Sequence, residues 1–267
     1  MNKIGLIIPL LVFLAACDPV ANSGTTEPQT TTNQAKAAVD EFYARRPTQY
    51  TWPAVSKSSG QDSGSLLTKN YYLVIDGSGS MEDSDCSGNQ RKIDVAKTAV
   101  AQFVGGIPAD ANVGLFVFDQ YGIKQRVALG EHHAEVQQQV QNISASGGTP
   151  LLHAVNAAYQ ALTVQAQKQY GYGEYHMVIV TDGEASKNED PGDLVTKIIR
   201  ESPVTIHTIG FCIGTGHSLN VPGITNYSAA SNPEELLSGL QNVLAESSQY
   251  VMDSFDEATF DKAKVAP

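Results

Sequence analysis

The run Tyr71-Tyr72-Leu73-Val74-Ile75-Asp76-Gly77-Ser78-Gly79-Ser80-Met81 carries an apolar strand into one carboxylate and then two hydroxyls, spaced two apart between glycines. Asp76, Ser78 and Ser80 are oxygen donors only, the kind that suits a hard divalent cation. Two later pieces extend the set. Thr149 stands in Ser146-Gly147-Gly148-Thr149-Pro150, and Asp182 ends a second apolar run, Met177-Val178-Ile179-Val180-Thr181-Asp182-Gly183. Either Asp alone would read as a cap for the helix that follows it. A cap has no use for a distant Gly-Gly-Thr, so the five together point to a cation. Hydroxyls are neutral, and a carboxylate acting through water cancels only part of the charge. Such an ion, Mg2+ first and Mn2+ or Ca2+ next, keeps an open position that seeks an anionic oxygen.

In this order of motifs, Asp-x-Ser-x-Ser, then Gly-Gly-Thr, then a second strand-end Asp, the chain resembles the von Willebrand factor type A domain with its metal-ion-dependent adhesion site. The resemblance covers about residues 70–247, and all five motif positions are filled. It implies that Ser78 and Ser80 touch the metal directly, and that Asp76, Thr149 and Asp182 bind it directly or through water. It also implies a protein partner that presents an Asp or Glu to the open position. The implied fold is a doubly wound, mostly parallel α/β sheet flanked by helices, Rossmann-like. In it the strand ending at Asp76 lies beside the strand ending at Asp182, at the point where the strand order reverses.

The elements that must position these groups are legible as alternating strands and helices. Strands are expected at Tyr71 to Ile75, Val113 to Phe118, more weakly near Lys124 to Ala128, Tyr175 to Thr181 and Val204 to Phe211. The last two are continuous β-branched runs, as expected of strands covered on both faces. A helix from about Arg91 to Val104 has the stripe Ile93, Ala96, Val100, Phe103 and Val104. Another from Pro150 to about Gln167 is opened by Thr149, with proline at a first helical position. Asn232-Pro233-Glu234-Glu235 reads as a capping box for a helix striped with Leu236, Leu237, Leu240, Val243 and Leu244. Between Gly214 and Thr225 there is little room for the helix that usually precedes the last strand of the family, so that edge is expected to be trimmed.

The N-terminus reads as an export signal over residues 1–16: Lys3, an apolar run from Ile4 to Leu14 broken by Pro9, then small residues before Cys17. Leu14-Ala15-Ala16-Cys17 resembles the bacterial lipobox, which implies acylation of Cys17 and a lipid anchor in the cell envelope. Asp18 after it resembles an inner-membrane retention signal, facing the periplasm, if the host is Gram-negative. Residues 17–69 are then an anchored tether and a short N-terminal segment. Within it Asn22 to Gln34 reads as a flexible polar linker. Ala35 to Arg46 reads as a short helix with Val39, Phe42 and Tyr43 on one side, and Tyr50, Trp52 and Val55 as packing onto the domain. Residues 248–267 form a tail with no assignable role.

The 267 residues, 42% of them hydrophobic, suffice for one sizeable core. A net charge of −11 argues against nucleic acid and against electrostatic attachment to anionic lipid. Cys86 follows the first strand and Cys212 ends a later one, so both should lie at one sheet edge. A disulfide is the reading for an exported domain, two free thiols the alternative. Asp83-Ser84-Asp85-Cys86-Ser87-Gly88 with Asp94 matches a calcium loop in outline. The entering helix is missing and Asp94 stands where Glu is usual, which favours a solvated acidic loop. Glu82 and Asp83 match in part the acidic pair beside the adhesion site of integrin β subunits. His132-His133 are expected in an exposed loop, and His153, His176 and His207 as packed or surface residues of regular elements.

No enzyme is expected. Position 78 is Ser where an Asp-x-Asp phosphohydrolase needs its acid, and Gly-Ser-Gly-Ser is no nucleophile elbow. Gly214-Thr215-Gly216 lacks the third glycine of a dinucleotide loop. The competing functions are a metal-independent interaction scaffold with a vestigial site and, further off, a metal-dependent hydrolase.

Overall fold

The apolar run ending at Asp76 becomes a central strand. The protein is described by a computed structural model over residues 29–45, 51–54 and 65–246. The strands are β1 (Lys69–Asp76), β2 (Asn112–Asp119), β3 (Gly122–Gly130), β4 (Glu174–Thr181), β5 (Thr205–Phe211) and β6 (Asn226–Ala230). They form one sheet in the order β3-β2-β1-β4-β5-β6. All neighbours pair parallel except β3, which folds back antiparallel on β2. The helices are α1 (Gln29–Ala44), α2 (Lys92–Gly106), α3 (His133–Gln141), α4 (Leu151–Lys168), α5 (Gly192–Glu201) and α6 (Pro233–Glu246).

Side chains of β1 alternate between two helical layers. Tyr71, Leu73 and Ile75 share an apolar cluster with Ile93 and Phe103 of α2, Val136 of α3 and Leu240 of α6. Tyr72 and Val74 share the other with Val155 and Leu162 of α4 and Ile198 of α5. A strand between two such layers has no wet face, which is why its sequence is apolar from Tyr71 to Ile75 rather than alternating. Truncating one of these side chains to Ala would cost about 2–5 kcal/mol.

Several elements depart from the sequence reading. Gln29–Gln34, read as linker, is the first part of α1. Its apolar side begins only at Val39, so the polar turns before it carry no periodic signal. His133 opens α3 instead of lying in a loop, with Val136 and Val140 the helix's buried residues. The helix α5 and the strand β6 were not expected. The first is short and buries Val195, Ile198 and Ile199; the second is an edge strand with Ala230 its buried residue. Thr149 does not cap α4. Pro150 occupies the position before the helix, and no side-chain cap bond forms there.

Other expectations meet their geometry. The Asn232 carboxamide oxygen accepts the Glu235 N–H at 2.9 Å, the forward half of a capping box, while the return bond from Glu235 falls one residue early, on the Ser231 N–H at 2.7 Å. No helix lies between β5 and β6. Trp52 stacks on Tyr159, meets Tyr175 edge-on and donates its indole N–H to Thr163. Cys17, Tyr50, Val55 and the tail lie outside the described residues.

Candidate metal centre

The order of strands brings the two acidic ends together. From β1 the chain builds outward through β2 and β3 on one side, and β4, β5 and β6 fill the other. The reversal falls between β1 and β4, where Ile75 pairs with Val180. Asp76 and Asp182 therefore leave the sheet side by side, at the crevice where open α/β sheets keep their sites.

The loop after β1 is stitched down by its backbone. The Gly77 N–H donates to the Phe118 carbonyl at 2.9 Å, and the Gly77 carbonyl accepts the Ser146 N–H at 2.8 Å. A Cβ on Gly77 would lie 2.7 Å from the Asp119 Cβ and 2.9 Å from the Phe118 carbonyl. Glycine is required there by crowding. The Gly79 N–H donates to the Gly147 carbonyl at 3.0 Å, and Gly147 has a φ of 87°, in the left-handed region. These bonds carry the Gly-Gly-Thr segment to the strand ends. The Thr149 N–H donates to the Ser186 hydroxyl at 2.8 Å, and Ser186 returns its own N–H to the Thr149 carbonyl at 2.9 Å.

The donors then meet. The hydroxyls of Ser78 and Ser80 are 3.1 Å apart, and Ser80 donates to Asp182 Oδ1 at 2.7 Å. A Cβ on Gly183 would come 3.6 Å from Ser80 Oγ and 3.9 Å from Thr149 Oγ1, so both hydroxyls face the same space. Asp76 sits one layer deeper and is fully buried. Its Oδ1 accepts the Ser78 N–H at 2.7 Å and its Oδ2 accepts the Thr181 hydroxyl at 2.6 Å. Burial pushes its carboxyl up to about 6, and the charge of Asp182 adds to that, against hydrogen bonds from Ser78 and Thr181. Ser80 is exposed, so the group opens to solvent there.

The five sequence-predicted donors are thus gathered at the ends of β1 and β4, with Asp76 beneath the opening, and their chemistry fits a hard cation. Among the described residues no three His, Cys, Asp or Glu side chains gather as a metal cluster. The set is instead three hydroxyls and two carboxylates, a composition suited to Mg2+, Mn2+ or Ca2+ rather than to a thiolate- or imidazole-seeking ion. Residues that the motif does not name complete the surroundings. Lys92, buried at the start of α2, places its ammonium 3.1 Å from Asp182 Oδ2 and 3.1 Å from Asp85 Oδ1. Thr181 holds Asp76. The Leu219 N–H donates to His217 Nδ1 at 3.0 Å, which leaves Nε2 to carry the proton that it gives to the Gly183 carbonyl at 3.0 Å. A lysine in a first helical turn, against the helix dipole, was the one sequence signal for Lys92.

Other singled-out groups go elsewhere. Cys86 and Cys212 are joined by a disulfide with their Cα atoms 6.1 Å apart. The residues of the calcium-loop outline do not converge. Asp94 pairs with Arg91 and Asp85 turns to Lys92, while Glu82, of the separate acidic pair, also meets Arg91. Asp119, a third strand-end carboxylate, accepts from Arg126 at 2.5 Å and from the Tyr121 and Ser144 N–H groups. His133 meets the Ala111 carbonyl, and His176 and His207 contact each other in the core.

Residues 71–184 match the family model of the von Willebrand factor type A domain. The Bacillus subtilis (strain 168) uncharacterized protein YwmD is 28% identical over 160 residues, 53% of this chain and 67% of that protein. Among solved structures, a von Willebrand factor type A protein from Catenulispora acidiphila superposes with a TM-score of 0.54 at 17% identity. That match takes in 68% of this chain and 43% of the other. The pilus adhesin SpaC from Lactobacillus rhamnosus GG gives 0.52 at 16% identity, over 68% of this chain and 31% of its own. At such identities the likeness is one of fold, and the fold is that of von Willebrand factor type A domains.

Proposed function

We propose that the protein is a lipid-anchored component of the bacterial cell envelope that captures an acidic side chain of a protein partner through a divalent cation, Mg2+ first. Ser78 and Ser80 would hold the ion directly, with Thr149, Asp182 and the deeper Asp76 around it. When bound, the cation supplies an open coordination position for an anionic oxygen. The observation that carries the reading is the unbroken contact from Ser78 to Ser80 to Asp182 at the mouth between β1 and β4. Three of the five donors are neutral hydroxyls, so the ion keeps an affinity for an anionic oxygen at its open position, which favours a carboxylate from outside. That SpaC, of the same fold, is a pilus adhesin accords with a role in protein contact.

Turnover has no support at this opening. Both Asp76 oxygens are occupied from within. The nearby His217 spends both nitrogens on backbone groups, so it is not poised to take a proton from either serine. Titration calorimetry with MgCl2 on the wild-type chain and on Asp76→Ala tests the first step. The wild type is expected to bind at millimolar ion or below, and the variant to lose the heat while keeping its circular dichroism. A pull-down from envelope extract, with Mg2+ and then with chelator, tests the second. No binding of any divalent cation by the wild type would leave a metal-independent scaffold as the function. Partner capture indifferent to chelator would make the site structural.

A further inference from the structure

We propose that Lys92 is a positioning residue for the cation site: a built-in counter-charge on Asp182 that weakens the hold on metal, with Asp85 drawing it off. The proposal rests on the metal reading above.

Lys92 is an anomaly in its own helix. The residues after it, Ile93, Ala96, Val100 and Phe103, belong to the apolar cluster on that side of the sheet. A lysine at the first helical position opposes the helix dipole, and burying its ammonium costs solvation. Its side chain is 6% exposed. Packing and local propensity therefore do not account for it; the two carboxylates do.

The contacts divide Asp182 in two. Oδ1 accepts the Ser80 hydroxyl, on the side of the donor set, and Oδ2 accepts the Lys92 ammonium. The carboxylate is thereby held in one orientation, with Oδ1 offered to the site. The same ammonium opposes entry of a dication, because two like charges beside one carboxylate repel in a poorly solvated pocket. Asp76 and Asp182 together match the charge of a dication; Lys92 adds a positive charge at the mouth that the exposed Asp85 offsets only in part. The site is set to hold its ion less tightly and to present more positive charge to an anionic group.

Asp85 adjusts this balance. Its oxygen is as close to Lys92 as that of Asp182, yet its side chain is 67% exposed, so it pulls more weakly. It stands next to Cys86, whose bond to Cys212 ties this loop to the end of β5. Without Asp85 the ammonium has Asp182 as its one remaining carboxylate, and metal binding should weaken.

Calorimetric titration of the full chain with MgCl2 alone, paired with thermal melts, tests this. Lys92→Met should tighten Mg2+ binding by about tenfold or more, given the size of a nearby unit charge. It should also lower the melting temperature without metal, with Mg2+ restoring it. Lys92→Arg should retain wild-type affinity within about threefold, since the charge is kept. Asp85→Asn should weaken binding by roughly two- to fivefold with little change in melting, as expected of an exposed pair. Looser binding in Lys92→Met, or one affinity for all variants, overturns the proposal and leaves Lys92 a structural strap. If Lys92→Met does not fold, an unchanged affinity in Asp85→Asn overturns it alone. A wild type that takes up no cation would remove the metal reading itself, a different result from binding that the variants leave unmoved.

Discussion

His176 and His207 meet across neighbouring strands, Nδ1 to Nε2 at 3.2 Å, about 20 Å along β4 from Asp182. Tyr71 stacks on His176, and Glu174 faces its other nitrogen at 3.2 Å, with Lys69 beyond. Glu246 lies 3.5 Å from His207 but is exposed, so it does little to hold a proton there. Burial first, and His176 second, push His207 down to about 3. His176 is also lowered, its burial outweighing Glu174. Between pH 6.5 and 3 the unfolded chain therefore binds the proton that the folded one refuses. This contribution to stability is complete above pH 6.5 and is lost as pH falls. From pH 7 to pH 5 the wild type should lose of order 1–2 kcal/mol more than His207→Leu, read from urea midpoints. Equal losses would mean that His207 does not take up a proton on unfolding in this range. At this scale the sequence was most informative where residues repeat at fixed spacing. Asp76, Ser78 and Ser80 were legible because three donors two apart leave few other readings. Lys92, Thr181 and His217 were not. Each reaches the site from a different element, and only the fold brings them to Asp76, Asp182 and Gly183.

The elements that were legible are those with a large buried stake. β1, β4 and β5 are buried along all but their first residue, and α2, α4 and α6 carry long stripes. The elements missed bury two or three residues each, as α3 and α5 do, or sit at a solvated edge, as β6 does. Periodicity has too little to work on there. The loops between the legible elements matter most for the site, and one of them is covalently tied. The Cys86–Cys212 bond spans 126 residues of sequence and joins the loop after β1 to the residue after β5. The Cys212 N–H also donates to the Ala230 carbonyl at 2.7 Å, so the tie reaches the β6 edge. A loop of this length corresponds to roughly 3–5 kcal/mol in the chain-entropy model. Protein exported to an oxidising compartment should resist alkylation without reductant, and Cys86→Ser with Cys212→Ser should lower the urea midpoint accordingly. Two labelled thiols per chain would show that the bond does not form.

For the molecule as a whole, the N-terminal helix is seated on the same loop that supports the candidate metal centre. The Tyr43 hydroxyl donates to the Gly223 carbonyl at 2.9 Å, and Val39 packs against Gly223, which has no Cβ to obstruct it. Phe42 joins the apolar cluster under α4 and α5. Six residues before Gly223, His217 donates to the Gly183 carbonyl beside Asp182. If Cys17 is the acylated terminus, residues 18–28 are the chain between the anchor and α1, and even fully extended they reach no more than about 40 Å. Anchorage through Cys17 would then hold the start of α1 within that distance of the bilayer and favour partners found at the same membrane. Several acyl chains would make this attachment firm, since one alone is marginal. Mass spectrometry of the mature protein should find Cys17 as the modified N-terminal residue. Cys17→Ser should shift the protein from the membrane fraction to the soluble one, or leave it unprocessed. Its Mg2+ affinity should be unchanged, because among the described residues the donor set is held by β1, β4 and the loops after them. An unmodified terminus at another residue would remove both the anchor and the inner-membrane placement argued from Asp18. The proposed cation site could still be tested, because the geometry of its donors is set by β1, β4 and the loops between them.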